Sequence, residues 1–168
     1  MAKTWVDGNN FVNVELNVCE MQYAATVAIV RKNESDKMGL KDANGFDRSK
    51  YPVLPMEIEG VAAEIAVAAS RNVYFDASYN TFKQADVGVD GQVRYSFKDH
   101  GRLIVRKKDN PDHCYVLVTG QMPHMIIRGW MYGHEAMKDG YLDTPQGRPP
   151  AWFVPQEDLR PWKLKAKA

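Results

Sequence analysis

The chain has 168 residues, 45% of them hydrophobic and 26% charged, and a formal net charge of +1. That length fits one domain, and the composition is that of an ordinary globular protein rather than a disordered one. No apolar stretch approaches the roughly 20 residues that a membrane helix needs. The two cysteines, Cys19 and Cys114, exclude a disulfide scaffold and a four-cysteine zinc site. The first residues (Met-Ala-Lys-Thr-Trp) carry no secretory pattern, so the expectation is a cytoplasmic protein with reduced thiols.

Residues 11–17 alternate, with Val12, Val14 and Leu16 on one side and Asn13 and Glu15 on the other, which predicts a half-buried strand. Asn17 then stands three residues before Glu20, a capping-box arrangement that starts a helix running to about Lys37. Met21, Ala24, Ala25, Ala28 and Ile29 sit at core spacing on it. Residues 38–56, with Gly39, Gly45, Pro52 and Pro55, read as a long loop of functional type. A second helix is expected over 57–70, Ala-rich, apolar nearly all round and therefore buried.

Short alternating runs at 73–75, 92–97, 103–106, 115–119 and 125–130 predict strands, and the Asp-Gly at 90–91 suits a hairpin turn. A short helix is expected over 133–138. The Pro-rich tail from 141 would be packed down by Trp152, Phe153, Val154 and Trp162. The order predicts an α/β fold, a central mixed sheet flanked by helices, in a single domain over 1–168. Its parts are a strand and helix at 10–37, the loop 38–56, a core at 57–140 and the tail 141–168.

Charge is unevenly placed. Residues 83–108 hold seven cations (Lys83, Arg94, Lys98, Arg102, Arg106, Lys107 and Lys108) against three aspartates, whereas the first 82 residues are net acidic. Such a segment suits either a nucleic-acid surface or a sheet edge protected by solvated charge. Lys83, Lys98, Arg102, Arg106, Lys107 and Lys108 would neutralise phosphates, and Tyr95 or Phe97 would stack on bases.

The sequence lacks a phosphate loop, a dinucleotide fingerprint and a nucleophile elbow. His100, His113, His124 and His134 show no metal-ligand spacing. What remains is polar residues in apolar surroundings. Glu64 lies inside the Ala-rich helix, where a carboxylate must pair with an arginine, reach the helix edge or hold a metal. Asp86 precedes the Asp-Gly turn, as a turn residue or as a ligand. Gln92 and Arg94, two apart on a strand, share one face, which Asp90 joins if the strand begins early. An acid from a helix, an acid before a hairpin and a polar pair on the next strand suit a hard divalent cation and phosphodiester hydrolysis.

This arrangement resembles the PD-(D/E)XK, or restriction-endonuclease-like, nuclease superfamily. The helix segment Gly60-Val-Ala-Ala-Glu64-Ile-Ala-Val-Ala is similar to a core helix that carries a metal-ligating Glu. Ala85-Asp86 stands where that motif has Pro-Asp, and Gln92-Val93-Arg94 where it has (D/E)-X-K. The text around residues 103–106, 115–120 and 129–136 resembles small bacteriophage proteins of that fold. The resemblance implies a Mg²⁺- or Mn²⁺-dependent nuclease acting on DNA, or on RNA, in phage recombination, repair or DNA degradation. Glu64, Asp86, Gln92 and the Val93 carbonyl would hold the metal, and Arg94 would orient water and phosphate. A homodimer in the cytoplasm of the bacterial host would be the acting form.

In this sequence Gln92 replaces an acid, and Arg94 replaces Lys and is unable to serve as a base. A second expectation is therefore an inactive nucleic-acid-binding or protein-interaction module on the same fold. A third, a structural or inhibitory protein of unrelated fold, predicts that Glu64, Asp86 and Arg94 do not converge.

Overall fold

The computed structural model describes residues 1–39, 52–77, 91–145 and 147–165. Lys83, Asp86, Asp90 and most of the segment 38–56 lie outside them. In chain order the elements are β1 (Lys3–Val6), β2 (Val12–Glu15), α1 (Val18–Lys37), α2 (Val53–Arg71), β3 (Gly91–Ser96) and β4 (Leu103–Arg106). They continue with β5 (Cys114–Gln121), β6 (His124–Tyr132), α3 (Gly133–Ala136), β7 (Leu142–Asp143) and β8 (Ala151–Val154).

Helix α1 begins where its chemistry dictates. The Glu20 N–H donates to Asn17 Oδ1 at 3.0 Å and the Asn17 N–H donates to Glu20 Oε2 at 2.8 Å, closing the capping box. Its buried face is Ala24, Val27 and Ala28, while Ile29, expected inside, is exposed. Helix α2 starts at Val53, earlier than the expected 57. Pro52 is its N-cap and Pro55 lies in its first turn, whose N–H groups are unbonded anyway, so proline is tolerated there and does not mark a loop. The helix ends at Asn72, in the left-handed region at φ 53°. Val61, Ala62, Ala63, Ile65, Ala66, Val67 and Ala68 are all buried, because α2 lies between α1 and the sheet.

The main sheet is five-stranded and mixed, in the order β1-β2-β6-β5-β3, with β3 and β5 parallel and the other pairs antiparallel. One face carries Val12, Val14, Val93, Val116, Val118, Met125 and Ile127, packed against α1 and α2. The other face carries Tyr115, Leu117 and Met131 in a second core with Leu103, Val105, Val154 and Ala136. That core is closed by a three-stranded sheet, β4-β8-β7, and by α3, so a second sheet stands where a further helical layer was expected. Residues 73–75, expected as a strand, are outside any ladder. The predicted short helix ends at Ala136.

A bulge fits the two layers together. The β5–β6 register jumps between Leu117, opposite Gly129, and Val118, opposite Ile127, leaving Arg128 as the extra residue. One extra residue swaps the faces of everything beyond it. Met125 and Ile127 therefore point to the helices, whereas Met131 reaches the second core. At Gly129, with φ +148°, a Cβ would come within 2.6 Å of the Arg160 carbonyl oxygen. Glycine lets the tail lie directly on β6, where Trp130 and Arg160 exchange N–H···O bonds of 3.0 Å. Trp162 completes the docking, its Nε1 donating to the buried Ser70 Oγ at 2.8 Å.

Candidate nucleic-acid interface

Strand β3 alternates as the sequence predicts, and its neighbours decide which face each residue takes. Val93 and Tyr95 join the helix-side core. Gln92 and Arg94, paired in register with Tyr115 and Leu117, take the opposite face. Arg94 is fixed there from three directions. Its Nη2 donates to Asp109 Oδ2 at 2.9 Å, its Nη1 donates to the Val93 carbonyl at 3.2 Å, and its guanidinium lies 5.0 Å from the Tyr115 ring centroid. The same Asp109 oxygen accepts the Arg106 N–H at 2.8 Å, so the turn after β4 is tied to β3. Tyr115 is itself anchored, its hydroxyl donating to the Asn110 carbonyl at 2.9 Å.

Glu64 lies elsewhere. Arg31 Nη1 of α1 donates to both its carboxylate oxygens, at 2.9 and 3.0 Å, with the Glu64 side chain only 13% exposed. Of the roles open to a carboxylate in that helix, the pairing with an arginine is formed. Because α2 packs on the Val93 face, Glu64 and the Gln92–Arg94 pair lie on opposite sides of the sheet. They do not meet. Asp86 and Lys83 lie outside the described residues. Among the described residues no group of three or more His, Cys, Asp or Glu is placed to hold a metal ion.

At the β3 edge of the sheet a groove of about 510 Å³ runs between β3, the 97–102 loop, the outer face of β4 and β8 and Met56 at the start of α2. Arg94, Lys98, Arg102, Arg106 and Arg148 line it, together with Phe97, His100 and Phe153. A second hollow of about 230 Å³ shares Arg106 and Arg148 and adds Lys107, Lys108 and Pro149-Pro150. Among the described residues no Asp or Glu lines either space. Such a surface concentrates positive potential and draws in polyanions. Arg102 does meet Asp143, at 3.5 Å and with both side chains about half exposed, an ion pair weak enough to exchange for a phosphate.

Five of the six expected phosphate-binding cations, Lys98, Arg102, Arg106, Lys107 and Lys108, thus border one continuous surface. The sequence reading missed Arg148, Phe153 and Asp109. Arg148 and Phe153 sit in what looked like a packed-down tail, and only the pairing of β8 with β4 (Ile104 opposite Phe153) brings them to the groove. Asp109 looked like a plain turn residue in Asp-Asn-Pro-Asp. Among the described residues no helix is long and apolar enough to cross a membrane. In comparisons with known proteins, the chain matches no protein-family model, no curated protein and no solved structure.

Proposed function

We propose that this protein binds the phosphodiester backbone of a nucleic acid, DNA in the first instance, along the groove bordered by β3, β4 and β8. The observation that carries this reading is the clustering of Arg94, Lys98, Arg102, Arg106 and Arg148 in one groove with no carboxylate among its described lining residues. Lysines and arginines gathered in this way displace counterions from phosphates, and this term supplies most sequence-independent affinity. Fluorescence anisotropy of a labelled DNA tests it. The wild-type protein binds, and a Lys107→Ala/Lys108→Ala double variant binds more weakly whatever the sequence. Wild-type affinity both in that variant and in an Arg102→Ala/Arg106→Ala variant would overturn it.

A second reading is metal-dependent hydrolysis of that backbone on a restriction-endonuclease-like core. It is favoured by one observation: Arg94, immobilised by Asp109 and Tyr115, lines the groove, and Gln92 lies two residues away on the same face. An always-charged guanidinium fixed beside a phosphate suits stabilisation of charge that develops during displacement. The described residues alone do not complete a site for Mg²⁺ or Mn²⁺. Gln92 offers an amide oxygen and Val93 a carbonyl, while Glu64 is engaged by Arg31 on the other side of the sheet. A carboxylate for the cation would come from Asp86, or from Asp90, both outside the described residues. The setting on this reading is DNA recombination, repair or degradation in a bacterial cytoplasm, with a homodimer for cutting two strands. Cleavage of mixed DNA substrates with added Mg²⁺ or Mn²⁺, lost in Asp86→Ala, supports it; a protein that binds DNA and cuts none under either metal removes it.

A further inference from the structure

We infer that the groove takes single-stranded nucleic acid in preference to a duplex, with Phe97 and Phe153 as platforms for unstacked bases; this rests on the nucleic-acid reading above. Two phenyl rings sit among the cations. Phe97 is 54% exposed, and neither Phe97 nor Phe153 belongs to either hydrophobic core. Each ring is already accompanied by a cation: Lys98 Nζ lies 5.8 Å from the Phe97 centroid, and the Arg102 guanidinium lies 4.7 Å from that of Phe153. A base would stack on such a ring by taking the face that the cation covers, as the cation moves onto the adjoining phosphate.

The geometry separates the two nucleic-acid forms. In a duplex the bases are stacked on one another and the phosphates lie outermost, so a surface made for duplex backbone needs cations and gains nothing from exposed phenyl rings. A single strand presents both groups together, and base–aromatic stacking is indifferent to sequence. Phe97 follows β3 directly, and Phe153 stands opposite Ile104 on the β4–β8 ladder. Both rings line the same groove as Arg94 and Arg102. Rings and cations in one groove are what a strand with splayed bases would meet.

The test is the affinity of the intact chain for labelled oligothymidylate, oligouridylate and a DNA duplex of equal length at one salt concentration. Wild type, Phe97→Ala and Lys107→Ala/Lys108→Ala are compared. Phe97 is exposed, so its truncation leaves the fold intact, as a thermal melt will verify. Tighter binding of a single strand than of the duplex, and a loss of about tenfold for the single strand alone in Phe97→Ala, supports the inference. The DNA and RNA arms then tell which sugar is preferred. If the duplex binds as tightly, or Phe97→Ala changes nothing, this inference fails while a loss in the lysine variant still sustains the groove reading. No binding to any of the three overturns both.

Discussion

Arg31 and Glu64 form a two-point ion pair between the two long helices, one guanidinium nitrogen of Arg31 meeting both carboxylate oxygens of Glu64 at 2.9 and 3.0 Å. Glu64 thereby ties the two helices together. Glu64→Gln should lower unfolding stability by about 1–2 kcal/mol, since it leaves a partly covered guanidinium without its counter-charge. DNA affinity should stay unchanged. A urea titration of Glu64→Gln, Arg31→Gln and the double variant checks this. A coupling energy near zero, or a loss of DNA binding in Glu64→Gln with stability intact, would contradict it.

Arg94 is positioned by Asp109, so the pair should fail together. Arg94→Lys keeps the charge but cannot supply two nitrogens to the Asp109 carboxylate and the Val93 carbonyl while lying over Tyr115. It should weaken DNA binding several-fold and stability by about 1 kcal/mol. Asp109→Ala should do both as well, because it also releases the Arg106 N–H. Wild-type affinity in Arg94→Lys would show that the fixed fork is irrelevant.

Much of this was readable from the residues, and the failures have a common cause. The capping box at Asn17–Glu20, the alternation of β2 and β3 and the position of β4 follow from local chemistry and were legible. So was the fact that Gln92 and Arg94 share a face. Which face was not legible, because β3 is covered by α2 on one side and bordered by the Tyr115 core on the other, and a period of two does not distinguish them. The partner of Glu64 was open for the same reason: Arg31 is 33 residues away in sequence. β1 escaped notice as a four-residue edge strand, and β8 because its alternation is short and follows Pro149-Pro150.

Glu59 gives a pH prediction. Burial raises its carboxyl above the usual 4.5, although the Met122 N–H, donating to Glu59 Oε2 at 3.0 Å, pulls the other way. An acid whose folded pKa exceeds its unfolded value favours folding most below the unfolded value and loses that advantage as pH rises through the folded one. Ionised Glu59 is thus a cost at neutral pH. Glu59→Gln keeps an acceptor for Met122, so its melting temperature should gain on wild type as pH rises from 4.5 towards 7. A constant difference across that range would count against this reading.

The tail clasp has the opposite dependence. Arg160 donates to both oxygens of Glu135 and brings that carboxyl down to about 2 from 4.5. An acid so lowered stabilises the fold above its unfolded value, and the contribution disappears as pH falls from 4.5 towards 2. Trp130, whose ring centroid lies 5.1 Å from the Arg160 guanidinium, should report the release as a fluorescence change in that window. Glu135→Gln should abolish that step. An unchanged acid transition in the variant would place the titrating group elsewhere.

The most direct test of the groove itself is the salt dependence of DNA binding. If about four to six of the groove's cations contact phosphates, the logarithm of affinity for a single strand should fall against the logarithm of salt with a slope of about −3 to −4. Each cation removed from the set Lys98, Arg102, Arg106, Lys107, Lys108 should reduce that slope by a little less than one. An affinity indifferent to salt, or a slope that these substitutions leave in place, would contradict the assignment of this face as the nucleic-acid surface.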